Sequence, residues 1–218
     1  DIENKFIIET ENLIKEAYIE NRLEEVYILE NEQLSFNVNC PVNYVTDKVM
    51  DKIKSINTSK VLAIATKKES KEYIGKRYLM LDRISDPGNL GTIIRSAVAF
   101  DIDTIMVSED CCDIYNDKVI RATEGAIFKI NILKENLLEA ITNLKKLNIP
   151  IFGTDVNKGK DVTTINKDKF CIIMGNEGSG IRKEVLKQVT DNIYIKTNTV
   201  ESLNVAVATS IILYELNK

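Results

Sequence analysis

From residue 78 onward the chain alternates short apolar runs with amphipathic segments, and this rhythm constrains the fold more than any other feature. Residues 78–81, 104–107, 150–153, 170–174 and 193–195 read as strands, and residues 90–100, 137–147, 181–189 and 203–216 as helices. The run Phe170-Cys-Ile-Ile-Met174 contains no polar residue, as expected of a parallel strand buried on both faces. Alternation of this kind predicts an α/β fold, a parallel sheet with helices on both faces. Ligands of such sheets bind beyond the carboxyl ends of the strands. Functional residues are therefore sought in the loops that leave the strands.

Residues 1–66 read as a smaller, N-terminal α/β unit, with strands at 6–8, 26–29 and 61–66 and helices at 9–20 and 46–56. Leu13, Ile14, Ala17 and Tyr18 have helical spacing, as do Val49, Met50 and Ile53, with Thr46 at the N-cap of the second helix. Residues 67–77 are polar and aperiodic and hold five basic residues, so they read as a linker. Such a run is either a solvated connector or a segment whose lysines meet a nucleic-acid backbone. The chain opens on Asp1 without a methionine, so the native N-terminus is expected to lie upstream.

Composition excludes several chemistries. There is no histidine among the 218 residues, which removes a Ser-His-Asp triad, a Cys-His dyad and His-ligated zinc. Proton transfer falls to carboxylates, Lys, Tyr, Cys or a substrate group. Cys40, Cys111, Cys112 and Cys171 form no C-x-x-C pair, so no metal site is expected. No apolar run approaches the ~20 residues that span a bilayer, and no secretory signal is evident. The reading is a cytoplasmic protein with free thiols and no membrane partner. The net charge of −4 weighs against a nucleic-acid partner, which usually meets a basic surface.

Three loops carry the chemistry. In the first, Asp86-Pro87-Gly88 reads as a turn and Asn89 as the cap of the helix that follows. Gly91 permits close approach by a backbone or a ligand, and Arg95, six residues past Asn89, is placed to face back toward the loop. Capping and a surface ion pair account for the same two polar residues equally well. The second loop, Met174-Gly-Asn-Glu-Gly-Ser-Gly-Ile181, joins the apolar strand to a helix. Its spacing is neither a Walker loop nor the dinucleotide fingerprint. Glu177 repels phosphate, so a sulfonium or an uncharged adenosine fits better. In the third loop, Ser202 or Thr199 is the expected N-cap of the last helix, and Asn204 is an unfavourable residue for a first turn.

Together and in this order, the strings Asp86-Pro-Gly-Asn-Leu-Gly-x-x-x-Arg95, Met174-Gly-Asn-Glu-Gly-x-Gly-Ile181 and Glu201-Ser-Leu-Asn-Val-Ala-Val-Ala208 resemble the SpoU (TrmH-like) family of RNA ribose 2′-O-methyltransferases. Arg121-Ala-Thr-Glu-Gly-Ala126 is similar to a further family stretch, with Thr123 in place of Ser. The resemblance covers residues 78–218. More weakly, residues 6–14 resemble the RNA-binding substrate domain of many members.

The resemblance implies a C-terminal trefoil knot in residues 78–218, a homodimer formed through that domain, S-adenosylmethionine as cofactor, and RNA as partner, ribosomal RNA before transfer RNA. It implies catalytic roles for Asn89, Arg95, Glu177, Ser202 and Asn204, and cofactor contacts at Thr154, Gly175, Gly180, Tyr194, Ile195 and Leu203. Arg95, Lys67, Lys68 and Arg121 are the RNA-contact candidates. One departure stands out: Tyr194-Ile-Lys-Thr-Asn198 replaces the family's Ile-Pro-Met-x-Gly, with Asn198 able to supply the left-handed conformation of that glycine. Two other classes remain in view, an RNA-binding ribosome-assembly factor with little catalysis and a nucleotide-using α/β enzyme.

Overall fold

A computed structural model describes residues 4–68, 70–155 and 158–218. The first three residues of the expected N-terminal unit and Glu69 of the expected linker lie outside the described residues. The chain builds two sheets. The first contains β1 (Lys5–Glu9), β2 (Leu23–Leu29), β3 (Val42–Val45) and β4 (Val61–Thr66), ordered β1-β4-β2-β3, with helices α1 (Glu11–Ile19) and α2 (Asp47–Ile53). Thr10 starts α1 by accepting the Leu13 backbone N–H on its hydroxyl. Thr46 sits at the N-cap of α2, but its side chain makes no capping bond, and α2 stops three residues before the expected end. The strand β3 has no counterpart in the sequence reading. It is an edge strand whose residues alternate between exposed and half-buried, so burial leaves it almost no apolar signature.

The second sheet contains β5 (Arg77–Asp82), β6 (Thr104–Val107), β7 (Asn131–Lys134), β8 (Ile151–Thr154), β9 (Lys160–Asp161), β10 (Phe170–Gly175) and β11 (Asp191–Tyr194). Their order is β7-β6-β5-β10-β8-β11-β9, and every neighbouring pair is parallel. The strands alternate with α3 (Pro87–Ala99), α4 (Asp117–Thr123), α5 (Leu137–Lys146), the short α6 (Lys183–Leu186) and α7 (Val205–Asn217). On β10, Phe170, Ile172 and Met174 pack with Leu79 and Leu81 against α3 and α7. Cys171 and Ile173 pack with Tyr78 and Met80 against α5 on the other face. Both faces of the sheet are thus covered, which is why its central strand shows no polar alternation.

A third apolar cluster joins the two sheets. Phe6, Ile8 and Leu13 of the N-terminal unit pack with Ile120, Ile127 and Phe128. The residues 121–126 stretch sits at this joint: Arg121 donates to Ser55, Asn12 donates to Glu124, and a Cβ on Gly125 would lie 2.6 Å from the Glu16 side chain. The expected linker runs over the edge of the second sheet and is tied to it. Glu72 and Ile74 offer backbone carbonyls to Asn131 and Thr104, and the Tyr73 hydroxyl donates to Glu135 at 2.5 Å.

Gly91 resolves into one of its two sequence readings. A Cβ there would meet Ala122 Cβ at 2.5 Å and the Val119 carbonyl at 2.6 Å, so the missing side chain lets α4 lie on α3.

Candidate active site

The carboxyl ends of β8, β10 and β11 lie side by side and open into a cavity of about 490 Å³, within the usual range for small-molecule sites. All six residues expected at a cofactor line it: Thr154, Gly175, Gly180, Tyr194, Ile195 and Leu203. Met174, Ile193 and Ile212 add apolar surface, and Asp155, Glu177 and Glu201 add carboxylates. No lysine or arginine is among the described lining residues. A triphosphate placed here would meet acidic groups and no counter-charge. A sulfonium with a flat heteroaromatic base suits the lining. Among the described residues, no group of three His, Cys, Asp or Glu side chains is arranged to hold a metal ion.

The loop after β10 is folded back on itself. Asn176 and Gly180 exchange backbone hydrogen bonds at 3.2 and 2.9 Å, and Asn176 Oδ1 accepts the backbone N–H groups of Gly178 and Ser179 at 3.0 Å each. Gly180 takes a φ of 66°, which closes the turn. Gly175 is required because a Cβ would meet the returning Gly180 carbonyl carbon at 2.3 Å. Gly175 thus lets chain pass close to chain while Gly180 supplies the left-handed turn, and together they shape the cavity wall.

Three of the five expected catalytic residues form a row across three loops. Asn204 Nδ2 donates to Asn89 Oδ1 at 3.0 Å, and Asn89 Nδ2 donates to Glu177 Oε1 at 3.0 Å. Glu177 also accepts the Ser85 hydroxyl at 3.1 Å, the Asn176 amide at 3.2 Å and the Asp86 backbone N–H at 3.4 Å. Partial burial pushes the Glu177 carboxyl up. The donors from Asn89, its own backbone, Asp86 and Ser85 outweigh that and hold it below the usual carboxylate range.

The caps differ from expectation, and the differences explain the row. Asp86, not Asn89, caps α3, accepting the Asn89 N–H at 2.8 Å, and Pro87 occupies the first helical position that its fixed φ suits. Residues 86–88 are therefore a helix start and not a separate turn, which releases the Asn89 side chain to face Glu177 and Asn204. At the last helix the cap is Asn204, not Ser202 or Thr199; its Oδ1 accepts the Ala206 and Val207 N–H groups at 2.9 and 3.2 Å.

The other expected residues are placed differently. Ser202 is exposed and lines the cavity. Arg95 is exposed on α3 and does not line it. Six residues advance a helix by roughly 600°, which turns Arg95 about 120° away from the Asn89 face. Ser96 takes that face instead and meets Ser210 of α7 at 2.7 Å. Lys67 lies over the Tyr115 ring at 5.1 Å, and the Lys68 backbone bonds the Tyr115 hydroxyl. Arg121 is paired with Asp117 at 2.9 Å at the joint between the sheets. Asn198 is not among the residues with positive φ, so it does not reproduce the left-handed glycine.

Sequence reasoning passed over Asp82 and its partners. Asp82 ends β5 fully buried and accepts the Arg182 backbone N–H at 2.7 Å and its Nε at 2.8 Å, clamping the exit of the Gly-rich loop to the neighbouring strand. A lone Asp at a strand end, 100 residues from its partner, carries no local pattern.

Residues 76–214 match the model of the SpoU rRNA Methylase family. A Bacillus subtilis 23S rRNA (guanosine(2553)-2′-O)-methyltransferase is 29% identical, the match covering 98% of this chain and 88% of the relative. Among solved structures, an AdoMet-bound rRNA methyltransferase from Sinorhizobium meliloti superposes with a TM-score of 0.83 at 27% identity, over 98% of this chain and 87% of that one. An RNA methyltransferase of the TrmH family from Porphyromonas gingivalis, described as putative, gives 0.86 at 25% identity, over 98% and 89%.

Proposed function

The chain belongs to the SpoU rRNA Methylase family, and on that premise we propose its reaction: methyl transfer from S-adenosylmethionine to a ribose 2′-hydroxyl of RNA, with ribosomal RNA preferred over transfer RNA. The observation that carries this reading is the cavity at the ends of β8, β10 and β11, acidic and without lysine or arginine among its described lining residues. That character favours a cationic methyl donor over a nucleotide polyphosphate.

Thr154, Gly175, Gly180, Tyr194, Ile195 and Leu203 are the residues assigned to hold the cofactor. When bound, it supplies an electrophilic methyl on a good leaving group. The chain's own task is to bring a weakly acidic hydroxyl into line and let its proton leave, and positioning of this kind contributes several kcal/mol. Asn89 is held from both sides by Asn204 and Glu177 and presents a fixed amide beside the cavity. Ser202 supplies a hydroxyl at the wall. Arg95 is assigned to an RNA phosphate next to the target ribose, since arginine stays protonated and its planar fork matches phosphate. The phosphate or water then takes the proton.

The same proposal places residues 1–66 as an RNA-contacting unit, 67–77 as the linker and 78–218 as the knotted methyltransferase domain. The position of β11 between β8 and β9, both earlier in the chain, supports the knot. Val207, Ile211 and Tyr214 form an exposed apolar stripe along α7, which a second copy of this domain covers in the homodimer. The four free cysteines suit a reducing cytoplasm; among the described residues, no helix is long and apolar enough to cross a membrane.

The test is incubation of the protein with labelled S-adenosylmethionine and ribosomal or transfer RNA, followed by nucleoside analysis. Label on a ribose 2′-oxygen supports the reading. Label on a base, or none with any RNA, overturns it.

A further inference from the structure

Arg83 lies outside the cavity lining and outside the three motifs, yet it is bonded to the Gly-rich loop at three points. Its backbone carbonyl accepts Asn176 Nδ2 at 2.9 Å, and its Nη2 reaches Ser179 Oγ at 3.1 Å and the Gly180 carbonyl at 3.3 Å. All three partners line the cavity. The backbone of Arg83 is itself unusual. It takes a φ of 60°, a left-handed conformation that side chains rarely adopt. The Arg83 N–H donates to Ser108 Oγ at 2.9 Å, which fixes the bend at the end of β5. Behind the guanidinium lies the buried Asp82 carboxylate: its Oδ1 is hydrogen-bonded to Arg182 Nε at 2.8 Å and stands 3.7 Å from Arg83 Nε, an ion-pair distance at which that buried Nε makes no hydrogen bond.

A glycine meets that backbone demand without strain, so an arginine in this conformation invites a functional account. The side chain supplies one. Two arginines beside Asp82 grip both sides of the cofactor loop: Arg182, hydrogen-bonded to Asp82, at its exit, and Arg83 across Ser179 and Gly180. We infer that Arg83 is a positioning residue for cofactor binding, a latch that holds the Ser179–Gly180 wall in its binding geometry from outside the pocket. This rests on the reading above that the cavity takes S-adenosylmethionine. Nη2 of a planar guanidinium can serve the Ser179 hydroxyl and the Gly180 carbonyl while Nε faces Asp82, a geometry that lysine does not reproduce.

The variants Arg83→Gly and Arg83→Lys separate a latch from a scaffold. Arg83→Gly relieves the backbone and removes the guanidinium. Its melting temperature is expected to stay the same or rise, while its Kd for S-adenosylhomocysteine, measured by calorimetry, weakens by about tenfold, as befits loss of charge-assisted bonds. In turnover, the KM for S-adenosylmethionine rises, while kcat and the KM for RNA change by less than twofold. Arg83→Lys, which keeps the charge and not the fork, is expected to recover little of the affinity. An Arg83→Gly variant that binds S-adenosylhomocysteine within twofold of the wild type overturns the inference. So does one that loses affinity only in step with a fallen melting temperature. Failure of the wild-type protein itself to bind S-adenosylhomocysteine instead overturns the cofactor reading on which the inference stands.

Discussion

Asn204 and Asn89, 115 residues apart, are joined by a 3.0 Å hydrogen bond from Asn204 Nδ2 to Asn89 Oδ1. The two ends of the Asn204 amide have separate duties. Its oxygen caps α7, and its nitrogen fixes the orientation of Asn89, whose own nitrogen then points at Glu177. One side chain thus couples the start of the last helix to the geometry of the site, through three loops that follow different strands.

The two duties can be pulled apart. Asn204→Asp keeps the capping oxygens but can no longer donate to Asn89. Its stability is expected within about 0.5 kcal/mol of the wild type, because Asp and Asn cap equally well. Asn204→Ala removes the cap as well and is expected to lose about 1 kcal/mol. Both variants should lose most turnover. Thermal melts beside initial rates check this, and a fully active Asn204→Asp would show that the link to Asn89 is dispensable.

Glu177 gives the site a dependence on pH with a definite sign. Its carboxyl is held below the ordinary value of 4.5, so the folded loop favours the charged form. The stabilisation it provides is present above that ordinary value and is lost as the pH falls through the lowered one. Affinity for S-adenosylhomocysteine is therefore expected to be flat from about pH 7 to 5 and to fall below the ordinary carboxylate range. In Glu177→Gln the acid limb should vanish, with weaker binding throughout, because a neutral amide replaces a carboxylate that accepts four donors. A titration of affinity against pH for both proteins decides it.

How much of this was legible in the sequence differs by element. The parallel sheet was legible because burial on both faces leaves runs such as 170–174 without a polar residue, and the cavity followed from the rule that ligands bind where such strands end. Short edge strands were not. In β7, Asn131-Ile-Leu-Lys134 is four residues long and half polar, and the seven-residue α4 was passed over too. The caps went wrong for a shared reason. Asp86 and Asn89 are both good caps, as are Thr199, Ser202 and Asn204, and only the three-dimensional partners of Asn89 and Asn204 decide which is used. The negative net charge pointed away from nucleic acid. Local surfaces do not follow a chain's total, and the chemistry came from the order of three motifs.

Gly91 is predicted to be a packing residue with no part in binding. In Gly91→Ala the new methyl would sit 2.5 Å from Ala122 Cβ and 2.6 Å from the Val119 carbonyl, and backbone cannot swing aside as a side chain does. Overpacking of this kind costs about 1–3 kcal/mol, offset in small part by the better helix propensity of alanine. Denaturant unfolding should show that loss, with affinity for S-adenosylhomocysteine unchanged in the folded protein. Weaker binding at unchanged stability would return Gly91 to the ligand.

Arg95 carries the sharpest division of labour. It is exposed, lies outside the cavity lining and faces away from Asn89, so Arg95→Ala should leave S-adenosylhomocysteine affinity and the melting temperature within error of the wild type. If Arg95 grips a phosphate beside the target ribose, the same change should lower kcat/KM for RNA by at least about a hundredfold and reduce the salt slope of RNA binding by about one. Arg95→Lys then reports which property matters. A point charge restores attraction to phosphate but not the two-pronged grip. Recovery of RNA affinity without recovery of kcat therefore assigns Arg95 to orientation of the ribose, whereas recovery of both reduces it to a charge. An Arg95→Ala protein with full turnover would remove Arg95 from the site altogether and leave Asn89, held between Glu177 and Asn204, as the residue nearest the chemistry.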